Sequence, residues 1–248
     1  SLASVLGMPL HSYIGEAVGW RWAFGLVALL AAIGAVWVWR TLPAGVRLPA
    51  LSLRRWAEVF THPVLMAVIA VTALHGAGQF TLFAYLAPYY RQVLGASAVE
   101  ISALFMWFGA WGLAGNLLLS RRIDRIGPAR AVLVFLGGIA LGLLIWPVAT
   151  TPATMALGLV PRAVGTFASN SAQQARLGAA APLLAPALLA LNTSAIYLGQ
   201  AIGAASGGAI VSAGGFGDLH VVGLVWVLLA IAVSVWADRR MRADPEHV

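Results

Sequence analysis

The sequence predicts an all-α integral membrane protein, and three observations carry that expectation. Hydrophobic residues make up 61% of the 248-residue chain and mean hydropathy is +0.89, far outside the composition of a water-soluble domain. Charged residues reach only 9%. The apolar residues also fall in long runs with short polar gaps, and a bilayer core of about 30 Å calls for about 20 such residues per helix.

Taken in order, the first run, 2–14, is too short to span, covering about 20 Å as a helix. The chain opens on Ser1 without the basic start of a signal peptide, so this run reads as the end of a helix that begins upstream. Seven full segments follow. The segment near 21–39 lies between Arg21 and Arg40, and that near 64–89 opens after Pro63. Segment 98–119 carries Gly109, Gly112 and Gly115, and 130–147 closes at Pro147. Segment 153–172 opens after Pro152 and contains Pro161, which removes a helical hydrogen bond and should kink it. Segment 183–211 repeats glycine at Gly199, Gly203 and Gly207, the spacing that lets helix backbones approach closely. The last, 219–237, runs into a basic tail. Trp20, Trp22, Trp146 and the pair Tyr89–Tyr90 fall near segment ends, where an aromatic belt is expected.

Orientation follows from the arginines, which cytoplasmic loops retain. Arg40, Arg47, Arg54 and Arg55, then Arg121, Arg122, Arg125 and Arg130, then Arg176, then Arg239, Arg240 and Arg242 occupy alternate gaps and the tail. Only Arg21 and Arg91 fall opposite. That puts the 40–62, 120–130 and 173–182 loops and the C-terminus in the cytoplasm. The formal charge of +7 is then a topology signal facing anionic headgroups of the lipid bilayer, and no nucleic-acid partner is expected. Without cysteine there is no disulfide or thiolate metal site. His11, His62, His75, His220 and His247 lack metal-ligand spacing, and no cofactor is expected. No pair of carboxylates shares a membrane segment and no Ser/His/Asp motif is present, so no enzyme chemistry is predicted.

The stretch SRRIDRIGPAR, residues 120–130, holds five charges in eleven positions. Topology accounts for its arginines but not for Asp124, nor for Gly127, which suits a tight turn or helix end. The order Asp124-Arg125-x-Gly127-x-x-Arg130 resembles the signature loop of the major facilitator superfamily, Gly-x-x-x-Asp-Arg-x-Gly-x-x-Arg, with Ser120 in place of the leading Gly. Residues 5–24, VLGMPLHSYIGEAVGWRWAF, are similar to the fifth helix and outer loop of its drug:proton antiporter branch, the arabinose-efflux-permease-like proteins. Gly7, Pro9, Leu10, Ile14, Gly15, Gly19, Trp20 and Arg21 match, while His11 stands where that pattern has a small residue. GQFTLFAYLAPY (78–89) and LNTSAIYLGQAIGAASGG (191–208) are similar to the seventh and eleventh helices.

The resemblance implies a major-facilitator-type helix bundle: helices five, truncated, to twelve of a twelve-helix carrier whose two six-helix bundles rock about a central cavity. On that mapping 1–39 ends the N-terminal bundle, 40–62 is a cytoplasmic linker, 63–237 is the C-terminal six-helix bundle and 238–248 is a cytoplasmic tail. The missing N-terminal helices of the same chain are implied partners. The resemblance also makes Asp124, Arg125, Gly127 and Arg130 a gating loop. There Asp124 and Arg125 would latch helix ends by charge-assisted hydrogen bonds, worth about a kcal/mol each. A solvated retention loop is the plainer reading of the same residues. Gly7, Pro9, Gly15, Gly199, Gly203 and Gly207 are expected at helix contacts.

Candidate binding residues come from polar stripes inside the segments. Arg162 lies near the midplane, where a charge costs about 2.5–3.5 kcal/mol or more, and shares a stripe with Thr166, Ser169, Asn170 and Gln173. The tenth helix lines the cavity in the family, which implies that Arg162 contacts an anionic or hydrogen-bonding substrate. A carboxylate elsewhere is the other contact it suits, and bonding to backbone carbonyls or deflection to the interface along its stem is the structural alternative. Thr72, His75 and Gln79 share a second face. An unperturbed histidine titrates near pH 6.5, so His75 is suited to carry a coupled proton or, more plainly, to bond between helices. Thr193, Tyr197 and Gln200 form a third stripe, suited to interhelical bonding. The combined reading is a bacterial inner-membrane secondary transporter, a proton-coupled exporter of drugs, sugars or related small molecules by alternating access. A non-transporting membrane subunit for assembly or sensing is the competing reading.

Overall fold

A computed structural model describes residues 7, 10, 14, 15, 18–42 and 52–243. Pro9, His11 and most of the 2–14 run lie outside the described residues, as do 43–51 and 244–248. The described elements are helical, with no strand among them. They are α1 (Trp20–Thr41), α2 (Leu53–Thr61), α3 (Pro63–Phe83), α4 (Leu86–Gln92), α5 (Ala98–Ile126), α6 (Pro128–Ile145), α7 (Pro152–Ala180), α8 (Ala185–Gly214) and α9 (Leu219–Ala243). Short 3-10 turns cover Trp146–Val148 and Pro182–Leu184.

Among the described residues six spans are long and apolar enough to cross a membrane: 20–41, 63–92, 98–126, 128–148, 182–214 and 219–243. α7, expected as a further span, has the length at 29 residues. Its polar run from Arg162 to Arg176 withholds the apolarity. Local chemistry sets the boundaries. Ser97 and Glu100 form a reciprocal capping box at the start of α5, and Thr151 and Thr154 do the same for α7. His62 accepts a hydrogen bond from the Leu65 N–H at the start of α3, with Pro63 in the first turn.

Three expected loops are shorter than the sequence implies. Residues 120–126 continue α5, and the turn into α6 rests on Gly127 at φ +78°, a left-handed conformation that glycine adopts without strain. Pro128 then starts α6 at once. Residues 173–180 continue α7, so Arg176 is a buried helical residue, not a loop residue. Within 40–62 lies α2, an amphipathic helix capped by Ser52. It buries Val59 against Leu65 and Val68 while leaving Arg54 and Arg55 exposed.

The bundle is built by exchange between two triplets of consecutive long helices, α3, α5 and α6 and then α7, α8 and α9. α3 packs chiefly on α8 and α9, while α7 packs chiefly on α5 and α6; α6 and α9 close the arrangement. The first helix of each triplet therefore inserts against the second and third of the other. In lipid no hydrophobic force pulls helices together, so close backbone contact has to supply the attraction. Gly199, Gly203 and Gly207 set α8 against the carbonyls of Ala73, Ala77 and Thr81 on α3, and a Cβ at any of them would collide. Gly142 meets the Cβ and backbone of Arg162, Gly115 the backbone of Val164, and Gly78 and Gly223 meet across α3 and α9. Gly15, expected at a contact, faces open space. α1 is exposed along its length, with Ala23 its one buried residue.

Part of the expected aromatic belt faces inward. Trp20 and Trp22 are exposed, but Tyr89, Tyr90 and Trp146 are buried. Tyr89 packs against Trp146 at 5.0 Å between ring centres and edge-on to Phe216 at 6.0 Å.

Candidate functional site

A cavity of about 270 Å³ opens between α3, α5, α7 and α8. α3 contributes His75, Gly76, Gln79, Phe80 and Phe83, α7 contributes Thr166, Phe167 and Asn170, α8 contributes Ile196 and Gln200, and α5 contributes Phe108. Four of the six sequence-derived binding residues are thus brought together: His75, Gln79, Thr166 and Asn170. No charged side chain lines this cavity.

Its polar atoms are set by bonds behind the wall. His75 Nδ1 lies 2.9 Å from the Thr72 carbonyl oxygen. A carbonyl only accepts, so Nδ1 carries the hydrogen, and Nε2 of the neutral ring is left as an acceptor. Nε2 is buried and without a hydrogen-bond partner, and so is Asn170 Oδ1. Thr166 donates its hydroxyl hydrogen to the Arg162 carbonyl at 2.8 Å, so its oxygen also offers lone pairs. Phe80, Phe83, Phe108 and Phe167 supply the rest of the wall, with Phe80 and Phe83 5.3 Å apart and Phe108 6.3 Å from Phe167. Acceptors among aromatic faces suit a neutral ligand with hydroxyl or N–H donors.

Arg162 and Thr72 lie behind the cavity instead of lining it. Arg162 is 1% exposed. Its Nη2 donates to the Gln79 carbonyl at 3.0 Å, its guanidinium sits 5.7 Å from the ring centres of both Phe108 and Trp146, and Nε and Nη1 have no partner. Gln173, three turns along α7, donates to the Val68 carbonyl. The two donors on α7 and their two carbonyls on α3 are each eleven residues apart and in opposite order. The polar face of α7 therefore ties two antiparallel helices together, one from each triplet. Thr72 donates to Asn192 Oδ1 at 2.6 Å, joining α3 to α8.

Other expectations divide in the same way. Asp124 and Arg125 are exposed and make no hydrogen bond or ion pair with a described residue. They stand on the outward face of the last turn of α5, away from the packed helices. Arg130 lines a separate cavity with Gly127. Of the third stripe, Gln200 reaches the main cavity, while Thr193 and Tyr197 are exposed. Asn192 and Ser234, both buried and hydrogen-bonded across helices, were missed. A single small polar residue in an apolar run gives no stripe to read. Phe108 and Phe167 were missed because a phenylalanine at a cavity looks the same in sequence as one facing lipid. No cluster of metal-ligating side chains occurs among the described residues.

A family model described as Major Facilitator Superfamily matches residues 1–183. The inner membrane transport protein YdhP of Escherichia coli K12 is 29% identical over all of this chain and 63% of its own length. A probable sugar efflux transporter of Mannheimia succiniciproducens is 35% identical over 133 residues, 54% of this chain and 33% of its own length. The crystal structure of a bacterial homologue of the human lysosomal transporter Spinster, inward-facing and unoccupied, aligns with a TM-score of 0.60 at 16% identity. It covers 96% of this chain and 66% of its own. The chain thus spans less than two thirds of these proteins.

Proposed function

The chain belongs to the major facilitator superfamily, a family of membrane transporters rather than enzymes, and from that premise we propose that it forms part of a secondary transporter exporting neutral, hydroxyl-bearing small molecules. The observation that carries the reading is the cavity itself, with two buried acceptors lacking partners, His75 Nε2 and Asn170 Oδ1, among aromatic rings. A charge-free lining favours sugars and related metabolites over cationic drugs, and a sugar efflux relative supports that choice.

In this reading His75, Gln79, Thr166, Asn170 and Gln200 contact substrate, while Arg162 and Thr72 act one layer behind, Arg162 by holding the Gln79 carbonyl. Export is coupled to protons, with the open Nε2 of His75 as the acceptor within this half. The protein lies in the bacterial inner membrane with its C-terminus in the cytoplasm, as the arginine bias requires. Its cycle is alternating access, with a second bundle facing the cavity and the 124–130 turn engaging that bundle in one state.

The test is export of labelled sugars from efflux-deficient cells expressing the full-length protein. Asn170→Ala and His75→Ala should each reduce export about tenfold, the cost of one lost buried hydrogen bond, with membrane expression unchanged. Undiminished export by both variants would remove this cavity from the transport path.

A further inference from the structure

A second cavity, about 320 Å³, lies at the opposite end of α7 from its capped start, between the first turn of α6 and the ends of α7 and α9. Three arginines from three helices converge on it: Arg130, Arg176 and Arg242. Arg176 is 2% exposed, and although both its Nη atoms bond Ser234, its Nε is buried without a partner. The first turn of α6 adds to the positive field. Its first intrahelical bond runs from the Ala131 N–H to the Gly127 carbonyl, so the Ala129 and Arg130 N–H groups lie ahead of it. No side chain caps that terminus, and its first turn holds no acid. Among the described residues the counter-charge nearby is Asp238, which pairs with Arg242 at 2.6 Å. Ile126 and Met241 add apolar wall.

We propose that this cavity binds the phosphate of an anionic phospholipid headgroup. Among the described residues the cationic donors at this cavity exceed the one carboxylate, Asp238, and that excess calls for an anion. The apolar wall beside them, at the ends of membrane helices, suits the glycerol and first acyl carbons that a lipid brings with its phosphate. A phosphate on Arg130, the exposed Arg242 and the open Nε of Arg176 would tie α6, α7 and α9 together at one end of the bundle.

Native mass spectrometry of the purified protein, titrated with dioleoyl phosphatidylglycerol or dioleoyl phosphatidylcholine, tests this without any transport readout, so the result is independent of the export reading. Phosphatidylglycerol should bind at least about fivefold more tightly than phosphatidylcholine, and Arg130→Gln and Arg242→Gln should each remove about fivefold of its affinity. Both side chains are exposed, so these variants leave the packing intact. Arg239→Gln, on the same tail but outside the cavity, should change nothing. Equal binding of the two lipids, or an equal loss in Arg239→Gln, would overturn the proposal. Displacement of phosphatidylglycerol by millimolar inorganic phosphate would overturn it in favour of a soluble anion.

Discussion

Arg162 and Arg176 stand on the same helix, fourteen residues and about four turns apart, and α7 holds them in opposite ways. Both are buried. Arg176 spends both Nη atoms on Ser234, on its hydroxyl at 2.8 Å and its carbonyl at 3.2 Å, and borders a cavity at the bundle end shared with Arg130 and Arg242. Arg162 lies mid-helix with one carbonyl and two aromatic faces, and two of its nitrogens hold no partner. A buried cation with unmet donors is expensive, and one whose removal relieves that cost is retained for something other than stability. The difference teaches that burial alone does not assign a role. The count of satisfied donors separates Arg176, whose two Nη atoms are both met by Ser234, from Arg162, which reaches α3 through one bond and stands behind the binding cavity.

The comparison breaks first, and by the largest amount, at Arg162. Arg162→Leu should lower export by about a hundredfold, while the thermal midpoint of the detergent-purified protein holds or rises, because the unmet donors leave with the charge. A variant that unfolds early and exports normally per folded molecule would reverse the assignment. Arg176→Leu should do the opposite. It leaves the Ser234 hydroxyl without its donor, so the protein should lose about 1–3 kcal/mol of stability in thermal unfolding, with export per folded molecule kept. The finest test is Ser234→Ala, which removes one of the two Arg176 contacts. It should cost about 0.6 kcal/mol, a typical interhelical hydrogen bond in membrane, read as a small downward shift of the same midpoint.

How much of this was legible differs by element. The turn at Gly127 could be read because glycine followed by proline dictates a helix end and a helix start. The pairing of His75 with Gln79, and of Thr166 with Asn170, follows from helical spacing alone. α2 escaped notice because nine residues give too short a pattern to stand out inside a linker. Gln173 and Ser169 belong to the same predicted stripe as Asn170, yet they are buried against other helices. A stripe of polar residues is wider than a cavity, and its flanks meet neighbouring backbones.

The sequence by itself determined the membrane environment, the helical class, six of the spans and the small-residue spacing of the α3–α8 contact, because hydropathy and helical period are properties of a single chain segment. Only the tertiary structure decided which polar side chains face the cavity, which staple α3 to α7, and that Arg162 stands behind the wall. Those outcomes depend on which helix lies opposite, and the exchange of α3 and α7 between the two triplets is a relation among distant segments that no one segment encodes.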